Sequence, residues 1–195
     1  MRPRLVIIAG GTASGKSSLA EAFVARAGAL HLRHDDYYRD VGDPTFFDYD
    51  HPDALDSALL VENLRDLVAG RATDGPDYDF KTHRRRADPR RLEPQALLVL
   101  EGILVLAVPE VAALGDLRVY VTAPEPLRLE RRIARDMAVR GRSREQVLLQ
   151  YHGTVKPNHD RFVEPSRVLA DLVIDGTGPL AEGVRAIEAR LATLA

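Results

Sequence analysis

The chain contains no cysteine. That excludes disulfides, thiolate metal sites and cysteine nucleophiles. It also lacks a large excess of either charge: 27 Lys and Arg stand against 29 Asp and Glu, a net charge of −2. No overall field draws it onto nucleic acid or an anionic membrane, so neither is expected as a partner. Long apolar runs are missing too. The longest apolar region, Ala96 to Pro109, is interrupted by Glu101 and Gly102, and is too short and broken to span a bilayer. Met1-Arg2-Pro3-Arg4 runs straight into an apolar stretch without a signal-peptide pattern, so a cytoplasmic protein is expected. There is no internal repeat and no low-complexity tract. What remains is an ordinary globular composition, 45% hydrophobic and 29% charged over 195 residues, enough for one sizeable α/β domain and hardly for two.

Against these absences one stretch stands out. Leu5-Val6-Ile7-Ile8-Ala9 is a short apolar run rich in β-branched residues, as a buried parallel strand reads. Directly after it, Gly10-Gly11-Thr12-Ala13-Ser14-Gly15-Lys16-Ser17 fits G-x-x-x-x-G-K-[ST], the phosphate-binding P-loop. Ser18 to Ala27 follows as a helix, with Leu19, Phe23 and Ala27 on one face. Gly10 and Gly15 let the backbone turn tightly and aim N–H groups inward. The helix start adds the positive end of its dipole. Lys16 can reach β- and γ-phosphate oxygens, and Ser17 offers a hydroxyl to Mg²⁺. A nucleoside triphosphate site is therefore expected over Gly10 to Ser18.

The rest of the chain alternates. Ala29 to Arg33 is a weak strand candidate ending in His34-Asp35-Asp36-Tyr37-Tyr38-Arg39-Asp40. Ligands of open α/β sheets sit at such strand ends, so this is either a site or a solvated acidic turn. Turn residues Gly42, Asp43 and Pro44 lead into Phe46-Phe47-Asp48-Tyr49-Asp50-His51-Pro52, either a packing plug or a platform for a flat ligand. Asp53 reads as the N-cap of a helix carrying Leu55, Leu59, Leu64, Leu67 and Val68, which Gly70 stops. Arg71 to Pro94 is polar; alternating Tyr78, Phe80 and Thr82 predict a short strand or hairpin arm. The basic run Arg84-Arg85-Arg86 there fits a solvated arm near bound phosphates better than a nucleic-acid patch.

Ala96 to Glu101 is a second buried strand, and its terminal acid can hold Mg²⁺ directly or through water. Leu117 to Thr122 is another. Pro124 and Pro126 open a helix with an apolar stripe of Leu129, Ile133 and Met137, and with Arg128, Arg132 and Arg135 on another face. Arg140-Gly141-Arg142 suits a hinged lid over phosphates, about 139–144. Ser143 to Gln146 is a capping box. Tyr151 to Leu169 reads as helix and loop broken by Pro157 and Pro165; Asp171 to Asp175 is a last strand and Leu180 to Leu194 a last helix. The alternation predicts an α/β fold of the P-loop NTPase type: a doubly wound sheet of about five parallel strands with helices on both faces. A small substrate-binding arm, about 71–94, and the Arg-rich lid complete one domain over 1–195.

Several of these stretches together resemble the uridine kinase family within the phosphoribulokinase/uridine kinase group. They are the P-loop, Asp35-Asp36-Tyr37-Tyr38-Arg39-Asp40, Tyr49-Asp50-His51-Pro52-Asp53-Ala54, Tyr78-Asp79-Phe80-Lys81-Thr82-His83, Leu100-Glu101-Gly102, and Arg132 to Arg142. Gln150-Tyr151, Val155-Lys156-Pro157 and Glu164-Pro165-Ser166 extend the match. The resemblance implies a kinase that uses ATP or GTP with Mg²⁺ on uridine or cytidine. It implies Asp35 as the base for the 5′-hydroxyl, Asp50 and Arg135 on the ribose, and Tyr49, Tyr78, Phe80 and His83 around the pyrimidine. Arg132, Arg140 and Arg142 would be lid groups on the triphosphate, with Gln150 near the sugar. Ser17, Glu101 and Asp35 would serve Mg²⁺. Small molecules are the implied partners, and a homo-oligomer is left open. Gly75-Pro76-Asp77 and the tail Asp175-Gly176-Thr177-Gly178 depart from the family pattern.

Two rivals stand beside this reading. A related kinase acting on a pantothenate- or sugar-phosphate-type acceptor would use cations near Asp35, and Arg33 and Arg39 flank it. A guanine-nucleotide switch would carry N-K-x-D, which is absent, and the D-x-x-G at Asp175 comes too late in the chain for that role.

Overall fold

The computed structural model describes residues 2–41, 47–80 and 82–194. The turn residues Gly42, Asp43 and Pro44, with Phe46 and Lys81, lie outside these described residues.

Strand β1 (Arg4–Gly10) leads through the P-loop into α1 (Lys16–Ala27) and β2 (Leu30–Arg33). A 3₁₀ turn, His34–Tyr37, leaves β2, and a second, Pro52–Ala54, precedes α2 (Ser57–Val68). Short strands β3 (Thr73–Gly75), β4 (Tyr78–Asp79), β5 (Arg84–Arg85) and β6 (Arg90–Leu92) form the arm, β3 antiparallel to β6 and β4 to β5. Then follow β7 (Leu97–Gly102), α3 (Pro109–Leu114), β8 (Leu117–Thr122), α4 (Glu125–Arg140) and α5 (Arg144–Gln150). A continuing helical run includes α6 (Lys156–Asn158), and β9 (Leu172–Asp175) and α7 (Leu180–Ala192) close the chain.

The main sheet has the order β2-β7-β1-β8-β9, and every pairing in it is parallel. This matches the expected five-stranded doubly wound sheet. The period of two along β1 divides the core. Leu5, Ile7 and Ala9 pack with Leu60, Leu64 and Leu67 of α2 on one face. Val6 and Ile8 pack with Leu19 and Phe23 of α1 and Ile187 of α7 on the other. Each fully buried Val, Leu, Ile or Phe among them contributes about 1.5–3 kcal/mol. With β1 buried on both sides, its register against β7 and β8 is fixed. The P-loop, Asp35 and Glu101 therefore emerge at one carboxyl edge of the sheet.

Two local expectations are corrected. The cap of α2 is Asp56, whose side chain accepts from the Leu59 N–H, while Asp53 sits in the preceding 3₁₀ turn. Leu55 thus lies before the helix, and Asp56 can reach the orphan N–H that a cap must satisfy. Pro157 does not break the helical run. Tyr151–Val155 and His159–Val163 are π-turns on either side of it, and the wider winding accommodates the missing proline donor.

Candidate active site

The P-loop is shaped by backbone before any side chain acts. Gly15 has φ 102°, a conformation only glycine adopts without strain. A Cβ on Gly10 would collide with the Val121 carbonyl of β8. A Cβ on Gly11 would press within 2.7 Å of Arg128 Nη1 and 2.8 Å of His159 Cε1, so those two side chains floor the loop. No side chain caps α1 and no acid lies in its first turn. Its first N–H groups stay available to an anion. A cavity of about 410 Å³ opens here, lined by Gly15, Lys16, Ser17, Arg131, Arg135 and Thr177 among others. It can take the nucleotide body outside the phosphate cradle.

Glu101 ends β7 beside the P-loop. Ser17 Oγ donates to its Oε2 at 3.1 Å, and Lys16 Nζ is 3.8 Å from the same oxygen. Burial pushes the Glu101 carboxyl up, Lys16 pulls it back, and Asp35 raises it again. Asp35 is thus close enough for its charge to act there. The neighbouring acids differ sharply. Asp36 is buried in a two-pronged pair with Arg33, at 2.9 and 3.3 Å, with Arg90 at 3.9 Å. The Asp35 carboxylate makes no hydrogen bond or ion pair among the described residues. Among those residues no group of three or more His, Cys, Asp or Glu is placed to hold a metal alone. Mg²⁺ beside a nucleotide needs only one or two carboxylates, with phosphates and water filling the rest. The oxygen donors Ser17, Glu101 and Asp35 fit that ion.

A buried carboxylate organises the arginines of α4. Asp136 is 0% exposed. It accepts from Arg135 at 2.8 Å, Arg142 at 3.3 Å and Arg140 at 3.4 Å, and Arg132 Nε lies 3.9 Å away. Burial alone would raise its carboxyl; Arg135, Arg140 and Arg132 outweigh that and hold it below the usual range. Gln150 Oε1 accepts from Arg132 and Arg142 at 2.9 and 2.7 Å. Gln150, which the resemblance implies near the sugar, is therefore an anchor for Arg132 and Arg142. Gly141, at φ 63°, ends α4 between Arg140 and Arg142.

The resemblance implies Arg135 beside Asp50 on the ribose and Arg132 on the triphosphate; in the structure Arg132 reaches the P-loop at Thr12 and also acts on the Asp50 charge, while Arg135 borders the P-loop cavity. Arg132 is 4% exposed, donates to Thr12 Oγ1 at 2.9 Å, and is the first charge opposing the burial of Asp50. Arg135 lines the cavity by Lys16 and Ser17. The two fall on one broad helix face, and the way α4 packs turns each to a different neighbour. Burial raises the Asp50 carboxyl from 3.8 to about 6, with Arg132 opposing and Asp48 and Asp35 adding.

The expected base-binding aromatics come together. The rings of Tyr38 and Tyr49 are 5.2 Å apart, Tyr38 and Tyr78 5.5 Å, and Tyr78 and Phe80 5.2 Å. The Tyr49 hydroxyl lies 2.8 Å from His83 Nδ1. Phe80 stays 45% exposed at the edge, as a stacking face needs. Arg85 pins the arm to the body: Nε and Nη2 donate to the Tyr38 and Tyr37 carbonyls at 2.9 and 3.0 Å. The basic run is thus partly a structural staple.

Sequence reasoning missed Asp136, Arg128 and His159. Asp136 could have been found, because Arg132, Asp136 and Arg140 recur at the helical spacing of four. His159 lies on a distant element, and no local pattern points from it to Gly11.

A parallel sheet carrying a P-loop at its carboxyl edge, with a carboxylate on its Ser17 and arginines opposite, defines a P-loop nucleotide-binding protein of the kinase type. The phosphoribulokinase/uridine kinase family model matches residues 5–179, and the chain belongs to that family. It is 42% identical to a uridine kinase of Chloroflexus aggregans, over 99% of this chain and 98% of that protein. It is 41% identical to a uridine kinase of Clostridium novyi, over 91% and 89%. The solved phosphoribulokinase of Rhodobacter spheroides shares the fold at a TM-score of 0.64 and 19% identity, over 92% of this chain and 74% of that one.

Proposed function

We propose that this protein is a pyrimidine ribonucleoside kinase, transferring the γ-phosphoryl group of ATP or GTP to the 5′-hydroxyl of uridine or cytidine. The observation that carries this reading is the Asp35 carboxylate in the turn that leaves β2, which makes no hydrogen bond or ion pair among the described residues. Its charge acts on both Glu101 and Asp50, which supports a role beside both. The relatives named as uridine kinases support the acceptor class.

Asp35 takes the proton of the 5′-hydroxyl as that oxygen bonds to the γ-phosphorus and the bond to the leaving diphosphate breaks. Lys16 and the P-loop amides hold the phosphates and meet the charge that shifts onto the leaving group. Ser17 and Glu101, with help from Asp35, would hold Mg²⁺, which would supply neutralisation of phosphate charge. Asp50 and Arg132 hold the ribose hydroxyls, and Tyr49, Tyr78, Phe80 and His83 enclose the base. Arg135, Arg140 and Arg142 serve the triphosphate. Residues about 71–94 act as the substrate arm and 139–144 as the lid of a single domain. Among the described residues no helix is long and apolar enough to cross a membrane; a cytoplasmic place of work fits the reading.

The sugar-phosphate rival loses its cations. Arg33 is committed to Asp36, and Arg39 lies 3.7 Å from Asp56. Turnover with γ-labelled ATP against a panel of uridine, cytidine, pantothenate and pentose phosphates tests the choice. Label is expected in the nucleosides; selective labelling of a phosphorylated acceptor overturns it.

Two further results are expected. The lid arginines are held by Asp136 and Gln150 but end a glycine-capped helix, so their surroundings should tighten around phosphates. Amide exchange over 139–143 is expected to slow when a non-hydrolysable ATP analogue and uridine bind together; unchanged exchange removes the lid. In this reading Asp50 is ionised when it accepts from ribose hydroxyls, and the charge of Arg132 favours that form. With its carboxyl raised to about 6, the charged form is present above that pH and lost below it. The value of kcat/KM for uridine should therefore fall as pH drops below about 6. Asp50→Asn should lower it at every pH and flatten that limb, and an unaltered limb in the variant assigns it to another group.

A further inference from the structure

The loop that carries Asp50 is held from behind by a residue with no place in the mechanism above. Asn158 ends α6, 8% exposed, between the two π-turns of the long helical run. Its Nδ2 donates to Asp48 Oδ2 at 2.6 Å. The other oxygen of the same carboxylate, Oδ1, accepts from the Asp50 N–H at 3.1 Å. A side chain that accepts from the amide two residues on is an Asx turn, which fixes the backbone at the residue it caps. The links run Asn158 to Asp48 to Asp50.

A second contact from the same helical run holds the other side of Asp50. The Phe162 ring meets the His51 ring edge-on at 5.1 Å, and the Arg161 guanidinium lies over Phe162 at 4.9 Å. Asn158 and Phe162 are four residues apart, so one helix face grips the segment at Asp48 and at His51. The π-turns decide which face that is. Each widens the winding, and a regular helix would rotate the later side chains by about 100° per residue of slip. Unusual helix geometry here aims one buried amide at the substrate loop.

The electrostatics sharpen the point. Asp48 and Asp50 are like charges two residues apart, an arrangement that costs energy. An acceptor with two oxygens is what the geometry uses: one for the Asn158 amide, one for the Asp50 N–H.

We propose that Asn158 and Asp48 are positioning residues that hold Asp50 against the ribose hydroxyls of the nucleoside. This rests on the reading above, in which Asp50 binds those hydroxyls. It gives the long helical run two duties: Gln150 steadies the arginines, and Asn158, further along, steadies the acceptor site.

The test measures dissociation constants for uridine and for 2′,3′-dideoxyuridine by calorimetry, with the KM for ATP alongside. Asn158→Leu removes the amide at similar volume. It is expected to weaken uridine binding roughly tenfold, the loss of one hydrogen bond to a charged group. It should leave dideoxyuridine binding and the ATP KM within about twofold, the scatter of an unaffected property. Asp48→Ala should behave like Asn158→Leu, and the double variant should be no worse than Asp48→Ala, since both break one chain of contacts. Asp48→Asn keeps an acceptor for the Asp50 N–H and an amide for Asn158 after a flip, so it should restore uridine binding. Equal losses for the two nucleosides, or a raised ATP KM, mean a general packing role and overturn the proposal. So does an unchanged uridine affinity. Should Asn158→Leu not fold, the contrast between Asp48→Ala and Asp48→Asn decides alone. Asp50→Asn is the control. If it too fails to discriminate between the nucleosides, the ribose role of Asp50 falls; if it discriminates and Asn158→Leu does not, only the positioning role falls.

Discussion

Asp35→Asn is expected to lower kcat by roughly a hundred- to ten-thousandfold, the usual cost of losing a general base. Uridine affinity should change little. Asparagine keeps the shape and one acceptor oxygen, but it cannot take the hydroxyl proton or present a full charge beside Glu101. The adjacent Asp36 gives the control. Its carboxylate is 2% exposed and spent on Arg33 and Arg90. Asp36→Asn should therefore act on folding, lowering the melting temperature while leaving kcat of the folded enzyme within about threefold, as expected of a residue outside the reacting groups. Steady-state kinetics and melting curves on both variants separate the roles. A mild Asp35→Asn beside a crippled but folded Asp36→Asn moves the base to the next residue. Two mild variants make the acidic cluster a structural turn.

Lys16→Ala should cost a hundredfold or more in turnover, on the scale of one charge-stabilising donor lost from a transition state. The fold should survive. The loop geometry rests on Gly10 and Gly15, on the Ser14 N–H bonded to the Gly11 carbonyl at 3.1 Å, and on the Leu19 N–H bonded to the Gly15 carbonyl at 3.0 Å. None of these uses the lysine side chain. Lys16 is, however, the first charge that pulls the buried Glu101 carboxyl down. Its loss leaves only Ser17 and Arg33 to favour the ionised form, so more Mg²⁺ should be needed for half-maximal turnover. Circular dichroism and thermal melting check the fold, and a magnesium titration checks the second effect. A folded variant with near-normal activity removes Lys16 from the chemistry.

The parts legible in the chain are those whose physics is short-ranged. The P-loop is eight contiguous residues between a β-branched run and a helix, and each piece dictates the next. The alternation along Leu5 to Ala9 implies two covered faces, and the structure supplies α2 on one and α1 with α7 on the other. The box at Ser143 and Gln146 closes within four residues. Where a longer element intervenes, the sequence leaves a choice. Arg132 and Arg135 share a helix face, and no spacing tells which reaches Thr12 of the P-loop and which borders the cavity beside Lys16. Proline at 157 signals a break, yet packing on both sides lets the helical run pass through it as π-turns.

Asp35 and Asp36 show the same division at the smallest scale. The chain offers two adjacent carboxylates at a strand end and no rule to separate them. A 3₁₀ turn points successive side chains about 120° apart. One therefore meets Arg33 and Arg90 while the other makes no such pair among the described residues. Asn158 marks the far limit: its partner Asp48 is 110 residues away in the chain. The sequence by itself determined the P-loop and the sheet, because hydrogen bonds and side-chain periods act between near neighbours. Only the tertiary structure decided which arginine reaches Thr12, which aspartate pairs with Arg33 and which helix face meets Asp48. Those choices depend on how α4 and the π-turned run pack across the sheet edge, where contacts join residues whose separation in the chain carries no pattern.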